Sequence, residues 1–248
     1  MMKKNFSTKD LNQQGTCYGS DSFTNDRTYI YSYRYKIVRQ RMTGPKVLEV
    51  GIGNADITNW LSQESDFEVV SIDGSQPVLD FASTKISFPE RVTLIYTYFE
   101  EFDTNIMFDD ILVTNSLEHV DDPVKLLCHM KKFLKPTGKL HITVPNAMSI
   151  HRILGKEMNM LESEDSLNSY DIEVGHQRVY NLELLKNHVY QAGFKVVDSD
   201  GIILKPLSDS QMNTIINIYG KEIMEGLFAV GRRLPELAAE IYFCCKKI

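Results

Sequence analysis

The stretch Val47-Leu48-Glu49-Val50-Gly51-Ile52-Gly53-Asn54-Ala55-Asp56, followed by Val69-Val70-Ser71-Ile72-Asp73-Gly74, decides the fold. An apolar run too short for a helix ends in an acid and two glycines and then gives way to a helical pattern. That is how a buried strand turning into a helix reads. Gly51 and Gly53 lack a β-carbon, so the backbone there can turn tightly and approach a ligand that a side chain would keep away. A second apolar strand ends at Asp73, whose carboxylate is placed to accept both hydroxyls of a ribose. Together the two segments describe a crevice for an adenosine cofactor.

Small departures in the loop select which one. A dinucleotide fingerprint needs a third glycine where this chain has Asp56, and a carboxylate there repels the pyrophosphate, which disfavours NAD. A sulfonium cofactor carries an amino-acid tail and no phosphate, so Glu49 can sit close to its ammonium group. The Glu49-x-Gly51-x-Gly53 pattern resembles motif I of the class I S-adenosylmethionine-dependent methyltransferases. The resemblance runs from about residue 45 to the C-terminus. Phe108 to Pro123, with its Leu117-Glu118-His119-Val120-Asp121-Asp122-Pro123, looks like the fourth strand and following turn of that family. Leu134 to Asn146 looks like the next turn and the fifth strand. Within the superfamily the pattern is most similar to the small-molecule, ubiquinone O-methyltransferase-like branch, a likeness that does not transmit the substrate.

Working outward, strands are expected at 46–50, 68–72, 91–96, 109–114, 139–144, 195–204 and 237–245, and helices at 55–64, 76–85, 122–134, 181–193 and 208–227. This alternation predicts an α/β fold with a mostly parallel, doubly wound sheet. The resemblance implies seven strands in the order 3-2-1-4-5-7-6, the last antiparallel. Residues 1–44 read as an N-terminal arm and helix, with 1 to about 26 a flexible or cofactor-covering segment. The methyltransferase-like domain then takes 45–248. Residues 146–180 exceed what a plain connection needs and follow the carboxyl end of strand five, where open α/β sheets bind ligands, so they read as a lid that binds the acceptor.

The 248 residues are 43% hydrophobic and 24% charged, enough to bury a substantial core. A net charge of −6 argues against a nucleic-acid partner, whose phosphates demand clustered cations. Cys17, Cys128, Cys244 and Cys245 contain no C-x-x-C pair, so free thiols are expected, with neither structural zinc nor a disulfide framework. On a strand, Cys244 and Cys245 would point to opposite faces. The N-terminus is polar and no apolar run reaches the roughly 18 residues of a membrane span, which fits a cytoplasmic protein with no membrane partner. The sequence leaves a homodimer open and assigns no metal.

The resemblance implies that Glu49, Gly51 and Gly53 hold the methionine end of the cofactor and Asp73 the ribose, with Gly74 and Ser75 shaping the adjoining turn. Tyr98 stands where the family often has an acid that reads the adenine amino group, while the backbone amide of Phe99 can still read the ring edge. Asn115 faces the methionine or the acceptor. Histidine is the natural base near neutral pH, which makes His119 and His176 candidates for taking a proton from the acceptor. His119 alternatively braces the turn after strand four. The Gly175-His176-Gln177-Arg178-Val179-Tyr180 cluster offers a base, an anion-binding fork and an aromatic wall, or else His176 and Arg178 lock the lid onto the sheet. Asn146, His151, Arg152, Arg178, Tyr180 and Tyr33 complete the expected acceptor side. Tyr33 is one of four tyrosines, with Tyr29, Tyr31 and Tyr35, that either pack on the sheet or touch substrate. His129, His141 and His188 read as structural.

These readings describe a methyltransferase using S-adenosylmethionine and releasing S-adenosylhomocysteine, acting on a hydroxyl oxygen of a small anionic or saccharide-type metabolite. The rivals are nitrogen methylation, a methyltransferase-like binding protein without catalysis, and an NAD-dependent reductase.

Overall fold

The structure, a computed structural model, describes Leu11 and residues 25–248. Helix α1 (Asn25–Arg39) leads into β1 (Lys46–Val50), followed by α2 (Asp56–Gln63), β2 (Glu68–Asp73), α3 (Gln76–Lys85), β3 (Val92–Tyr96) and β4 (Phe108–Thr114). Next come α4 (Pro123–Met130) and β5 (Leu134–Pro145), then α5 (Ile150–Glu157) and α6 (Ser169–Glu173) within the insertion. Helix α7 (Leu182–Gln191), β6 (Phe194–Ile202), α8 (Asp209–Tyr219), α9 (Lys221–Arg233) and β7 (Glu240–Lys247) follow.

Among the described residues seven strands form one sheet in the order β3-β2-β1-β4-β5-β7-β6, the expected topology. β1 runs parallel to β2 and β4, while β7 runs antiparallel to β5 and β6. The order in which strands are added reverses between β1 and β4. The loops leaving their carboxyl ends therefore diverge, and a crevice opens there.

Period-two alternation gives each strand a side chain on both faces. Leu48, Val50, Ile111, Val113, Leu140, Ile142 and Phe243 pack under α4 and α7, together with Phe102 and Phe133. Val47, Val69, Leu112 and Tyr242 pack under α1, α2, α8 and α9. Each large apolar side chain so buried contributes about 1.5–3 kcal/mol relative to exposure. Cys245 joins the first layer and the neighbouring Cys244 the second, both as free thiols; Cys17 lies outside the described residues.

Helix starts follow local chemistry. Asp122 accepts from the Lys125 amide at 2.9 Å ahead of Pro123, and Asn181 accepts from the Leu184 amide at 2.8 Å, caps worth about 1 kcal/mol each. Three of the departures from the expected boundaries have local causes. The helix expected over 208–227 is split by Gly220, whose φ of 73° ends α8 and starts α9. β5 begins at Leu134, which pairs with Phe108 across an irregularity that precedes Asp110 and Lys139. β7 starts at Glu240 because Pro235–Leu237 form a short 3-10 turn. Among the described residues no helix is long and apolar enough to cross a membrane.

Candidate functional site

A cleft of about 1120 Å³ opens at the carboxyl ends of β1 and β4. On one side lies the loop after β1. Gly51 adopts φ 85° and its amide donates to the Ile72 carbonyl at 2.9 Å; a β-carbon there would stand 2.4 Å from Ser116 Oγ, so the position demands glycine. Gly53, at φ 51°, faces open space, with nothing within 4 Å of where a β-carbon would sit. Ala55 continues the left-handed course at φ 62° before α2 begins.

Asp73 ends β2 and lines the same cleft. Its carboxylate accepts from the Ile52 amide at 3.2 Å and the Ser75 amide at 2.9 Å, which ties the two loops together. Burial pushes the carboxyl up to about 6, while the amides of Ser75, Ile52, Gly53 and Gly74 pull it back. Glu49 is buried on β1, where the hydroxyls of Thr58 and Ser71 converge on its Oε2. Burial raises it to about 7 against those hydroxyls, with Asp73 and Asp56 adding repulsion. The Phe99 ring lies 3.3 Å from the β-carbon position of Gly51, and Tyr98 lies 3.5 Å from that of Gly74. Gly74, Ser75, Tyr98, Phe99 and Asn115 all line the cleft. So does Leu11, while the rest of the expected covering arm up to residue 24 lies outside the described residues. An open glycine loop without a phosphate-binding cation among the described residues, an acid at the strand end and a second buried acid behind the loop fit the ribose and amino-acid tail of S-adenosylmethionine.

The opposite wall is assembled from α1, the turn after β4, the insertion and β7. Glu118 has no exposed surface, and neither carboxylate oxygen has a hydrogen-bond partner among the described residues. Burial pushes it up to about 7, partly offset by His176. Nε2 of His176 stands 4.0 Å from Glu118 Oε1, while Nδ1 meets Asp171 Oδ1 at 2.9 Å. Asp171 is anchored by the backbone amide of Asn168 and by Arg152 at 3.2 Å. Burial disfavours its charge, but His176, the Asn168 amide and Arg152 outweigh that and hold it below the ordinary carboxylate range. The Asp171 carboxylate therefore accepts from Nδ1–H, and Nε2 turns toward Glu118. The His119 ring packs edge-on to His176, centroids 4.7 Å apart, and burial, followed by repulsion from His176, drives it down to about 3. His151 also lines the wall, lowered to about 4 by burial and then by Lys205 and Arg152.

Asn115, at φ 49°, bridges Thr143 Oγ1 at 2.6 Å and Glu240 Oε1 at 3.2 Å. Glu240 also accepts two hydrogen bonds from Arg34, at 3.0 and 2.5 Å, in a buried pair. Among the described residues each cation on this wall is paired: Arg27 with Asp209, Arg34 with Glu240, Arg152 with Asp171, and Lys205 with Asp26 and Asp209.

Four expected acceptor residues do not reach the cleft. Tyr33 is fully buried and stacks on Phe228 at 4.1 Å; Tyr31, two residues earlier, lines the cleft instead. Arg178 turns its guanidinium inward to the carbonyls of Leu117, Val120 and Asp121, bracing the turn after β4 rather than offering an anion fork. Tyr180 is buried, and its carbonyl accepts from the Ala147 amide at 2.7 Å. Asn146 donates to the carbonyls of Glu236 and Ala238 at 2.9 Å and bridges to Tyr180, so these two residues close the base of the insertion. Arg152 does line the cleft, but it is committed to Asp171 and the carbonyls of Glu164 and Ser166. Sequence reading missed Arg27, Arg34, Glu118, Asp171 and Glu240. Residues 27, 31 and 34 follow helical spacing on one face of α1, a signal present in the sequence. For Asp171 and Glu240 no local signal exists.

The fold and the glycine loop are those of class I S-adenosylmethionine-dependent methyltransferases. The chain belongs to the methyltransferase-domain family, whose model matches residues 26–199. It is 26% identical over 149 residues to the mitochondrial ubiquinone biosynthesis O-methyltransferase of Dictyostelium discoideum, a match covering 53% of this chain and 46% of that one. The chain thus matches less than half the length of this curated relative. Among solved structures it is similar to the CcbJ methyltransferase from Streptomyces caelestis, with TM-score 0.63 and 13% identity over 96% of this chain and 97% of that one. It is also similar to the N-methyltransferase NodS from Bradyrhizobium japonicum WM9, solved with S-adenosyl-L-homocysteine, with TM-score 0.62 and 11% identity over 96% and 98%. At these identities the structural likeness is one of fold.

Proposed function

We propose that the protein transfers the methyl group of S-adenosylmethionine to a hydroxyl oxygen of a small metabolite held between the glycine loop and the insertion 146–180. The observation that carries this reading is the Asp171–His176 pair, which directs Nε2 toward the buried Glu118 beside His119, across the cleft from Gly51 and Asp73. A hydroxyl must lose its proton as it attacks a methyl group, and an oriented imidazole next to a carboxylate is where that proton leaves. Positioning supplies the rest of the acceleration. In this reading the residues after β1 and β2 bind the cofactor, and Tyr31, Tyr170 and the ion pairs of the opposite wall bind the acceptor.

The pairing of every wall cation revises the expected handle. Paired guanidinium and carboxylate groups offer hydrogen bonds without excess positive charge, and tyrosine rings offer flat faces. Both suit a neutral polyhydroxylated or aromatic ring better than a free carboxylate or phosphate. A nitrogen acceptor is the second reading, favoured by the Glu118 carboxylate, which has no hydrogen-bond partner among the described residues and would attract an ammonium group. The test is to incubate the protein with methyl-labelled S-adenosylmethionine and separate pools of sugars, phenols, amines and acids. Label in neutral hydroxyl compounds is the expected result; label confined to amines would select the second reading, and label confined to carboxylates or phosphates would reject the neutral-handle assignment.

A further inference from the structure

We propose that the end of the cleft formed by Arg27, His151, Tyr170 and Lys205 is a second acceptor subsite, which seats a neutral sugar or polyol unit lying beyond the hydroxyl that is methylated. The inference rests on the methyl-transfer reading for the identity of the bound molecule as an acceptor, but not for its geometry.

The chain is strained where it enters this corner. Ile203, just after β6, adopts φ 55°, a left-handed conformation that a β-branched residue rarely takes. Its surroundings hold it there. The Ala239 amide donates to the Ile203 carbonyl at 2.8 Å, and the Leu204 amide donates to the Leu227 carbonyl at 2.9 Å. A β-carbon at Gly231 would stand 2.6 Å from both the Ile203 carbonyl carbon and the Leu204 nitrogen, so α9 presses directly on the turn. Backbone strain of this kind persists only where the structure over-determines it, and it gathers at ligand sites. Two residues on, the turn delivers Lys205 to the cleft wall with its side chain only 12% exposed.

The groups around Lys205 balance in charge. Lys205 takes one oxygen of Asp209 and Arg27 the other, at 3.0 Å, while Asp26 lies 3.6 Å from the Lys205 ammonium. Two cations against two carboxylates leave no surplus charge for an anion. His151, on α5, adds an acceptor. The Lys205 backbone carbonyl engages its ring, and Nδ1 is buried with no hydrogen-bond partner among the described residues. Burial, then Lys205 and Arg152, lower the imidazole to about 4, so it is uncharged near neutral pH and Nδ1 is left to meet a hydroxyl. Tyr170, on α6, supplies a flat apolar ring that is partly open to solvent, with the Arg27 guanidinium 4.9 Å from its centroid.

A sugar uses this combination fully. Each of its hydroxyls both donates and accepts, so it fits between a paired cation and a carboxylate or neutral imidazole, while the C–H face of its ring packs on a tyrosine. A carboxylate or phosphate would have to compete with Asp26 and Asp209 for cations they already hold. The corner is also joined to the reacting centre. Tyr170 turns to Arg27, and the adjacent Asp171 accepts from His176 Nδ1 at 2.9 Å. A sugar seated against Tyr170 steadies the helix that orients His176, which is how binding of a non-reacting part of an acceptor serves the chemical step.

The test titrates the full-length protein, with and without S-adenosylhomocysteine, with methyl glucopyranoside, methyl galactopyranoside and myo-inositol, and with glucuronate and a glucose phosphate as charged counterparts. Saturation-transfer NMR reads binding. At least one neutral probe should bind, more tightly than either charged one. Lys205→Met, His151→Leu and Tyr170→Leu should each weaken that binding by about tenfold, the loss of one buried hydrogen bond or ring face, with S-adenosylhomocysteine affinity unchanged. A variant that also loses S-adenosylhomocysteine is misfolded, and Tyr170→Leu, at a partly exposed side chain, then carries the comparison. Protein that binds S-adenosylhomocysteine but no neutral probe, that prefers the charged probes, or whose neutral-probe binding survives the folded variants overturns the subsite and leaves the methyl-transfer reading standing. Variant-sensitive binding of a neutral probe by protein that does not bind S-adenosylhomocysteine upholds the subsite and removes that reading instead.

Discussion

On the cofactor side of the cleft, Glu49, Gly51, Gly53 and Asp73 come from one β–α–β unit and are specified by backbone: positive φ angles at Gly51 and Gly53, and amides aimed at the Asp73 carboxylate. On the acceptor side, Arg34, Glu118, Asp171, His176 and Glu240 come from four separate segments and are specified by one another. Arg34 is held by Glu240 and His176 by Asp171, with Arg152 behind. A backbone-built wall restricts which residue type each position accepts and so leaves a local signature. A wall built from side-chain pairs tolerates many sequences as long as partners change together, and its buried pairs are strongly destabilised when only one partner is removed. In the proposed function the two walls divide the work: a fixed seat for the cofactor, and an adjustable face for the acceptor.

This division is broken most sharply at His176. His176→Ala should lower kcat by about 10²–10⁴ while S-adenosylhomocysteine affinity stays nearly constant, because the residue serves the acceptor wall alone. Single-turnover rates on an identified acceptor, paired with calorimetry of cofactor binding, measure both quantities. A near-normal rate would mean that the acceptor wall contributes positioning only. Parallel loss of cofactor affinity would mean that the two walls are not independent.

Legibility in the sequence followed the same line. The order of the sheet, the loop after β1 and Asp73 could be read because glycines, short apolar runs and a strand-ending acid are local signals. On the acceptor side, arginine and tyrosine types alone suggested Arg178 and Tyr180, yet Arg178 satisfies three backbone carbonyls and Tyr180 is buried. Nothing along the chain distinguishes an arginine that braces a turn from one that faces a ligand. Tyr33 failed for a different reason: the helical phase of α1 places residues 27, 31 and 34 toward the cleft, and residue 33 falls on the core side. Glu118 belongs to a motif but has no task legible in the sequence, because what marks it is a buried carboxylate without a hydrogen-bond partner among the described residues, which only the folded chain reveals.

A smaller effect is expected on the cofactor wall. Asp73→Ala should weaken S-adenosylhomocysteine binding by about tenfold or more, equivalent to about 1.4 kcal/mol, through loss of a charge-assisted hydrogen bond to the ribose. The carboxylate also joins the loops after β1 and β2, so thermal unfolding of the unliganded variant separates loss of the ribose contact from loss of that tie. If a stably folded variant binds with unchanged affinity, the ribose lies elsewhere and the cofactor wall is not what its glycine loop implies.

The smallest effect is a pH dependence confined to this same wall. Burial raises Asp73 from its ordinary value to about 6, so the group is charged above that pH and protonated below it. Ribose hydroxyls donate to the charged form, and cofactor affinity should therefore fall as pH drops through 6, by about three- to tenfold between pH 7 and pH 5. The stability of the unliganded protein moves the other way. An acid whose folded value exceeds its unfolded one takes up its proton more readily when folded, so Asp73 destabilises the native state above pH 6 and that burden is relieved as pH falls. Glu49, raised to about 7 and facing Asp73 from β1, has the same sign at a slightly higher pH. Asp73→Asn separates the two, since it removes the step near pH 6 and keeps any step near pH 7. Titrating S-adenosylhomocysteine into both proteins from pH 5 to pH 8 checks this. A wild-type affinity that is flat through pH 6, or a step there that persists in Asp73→Asn, would show that the charge of Asp73 does not hold the cofactor.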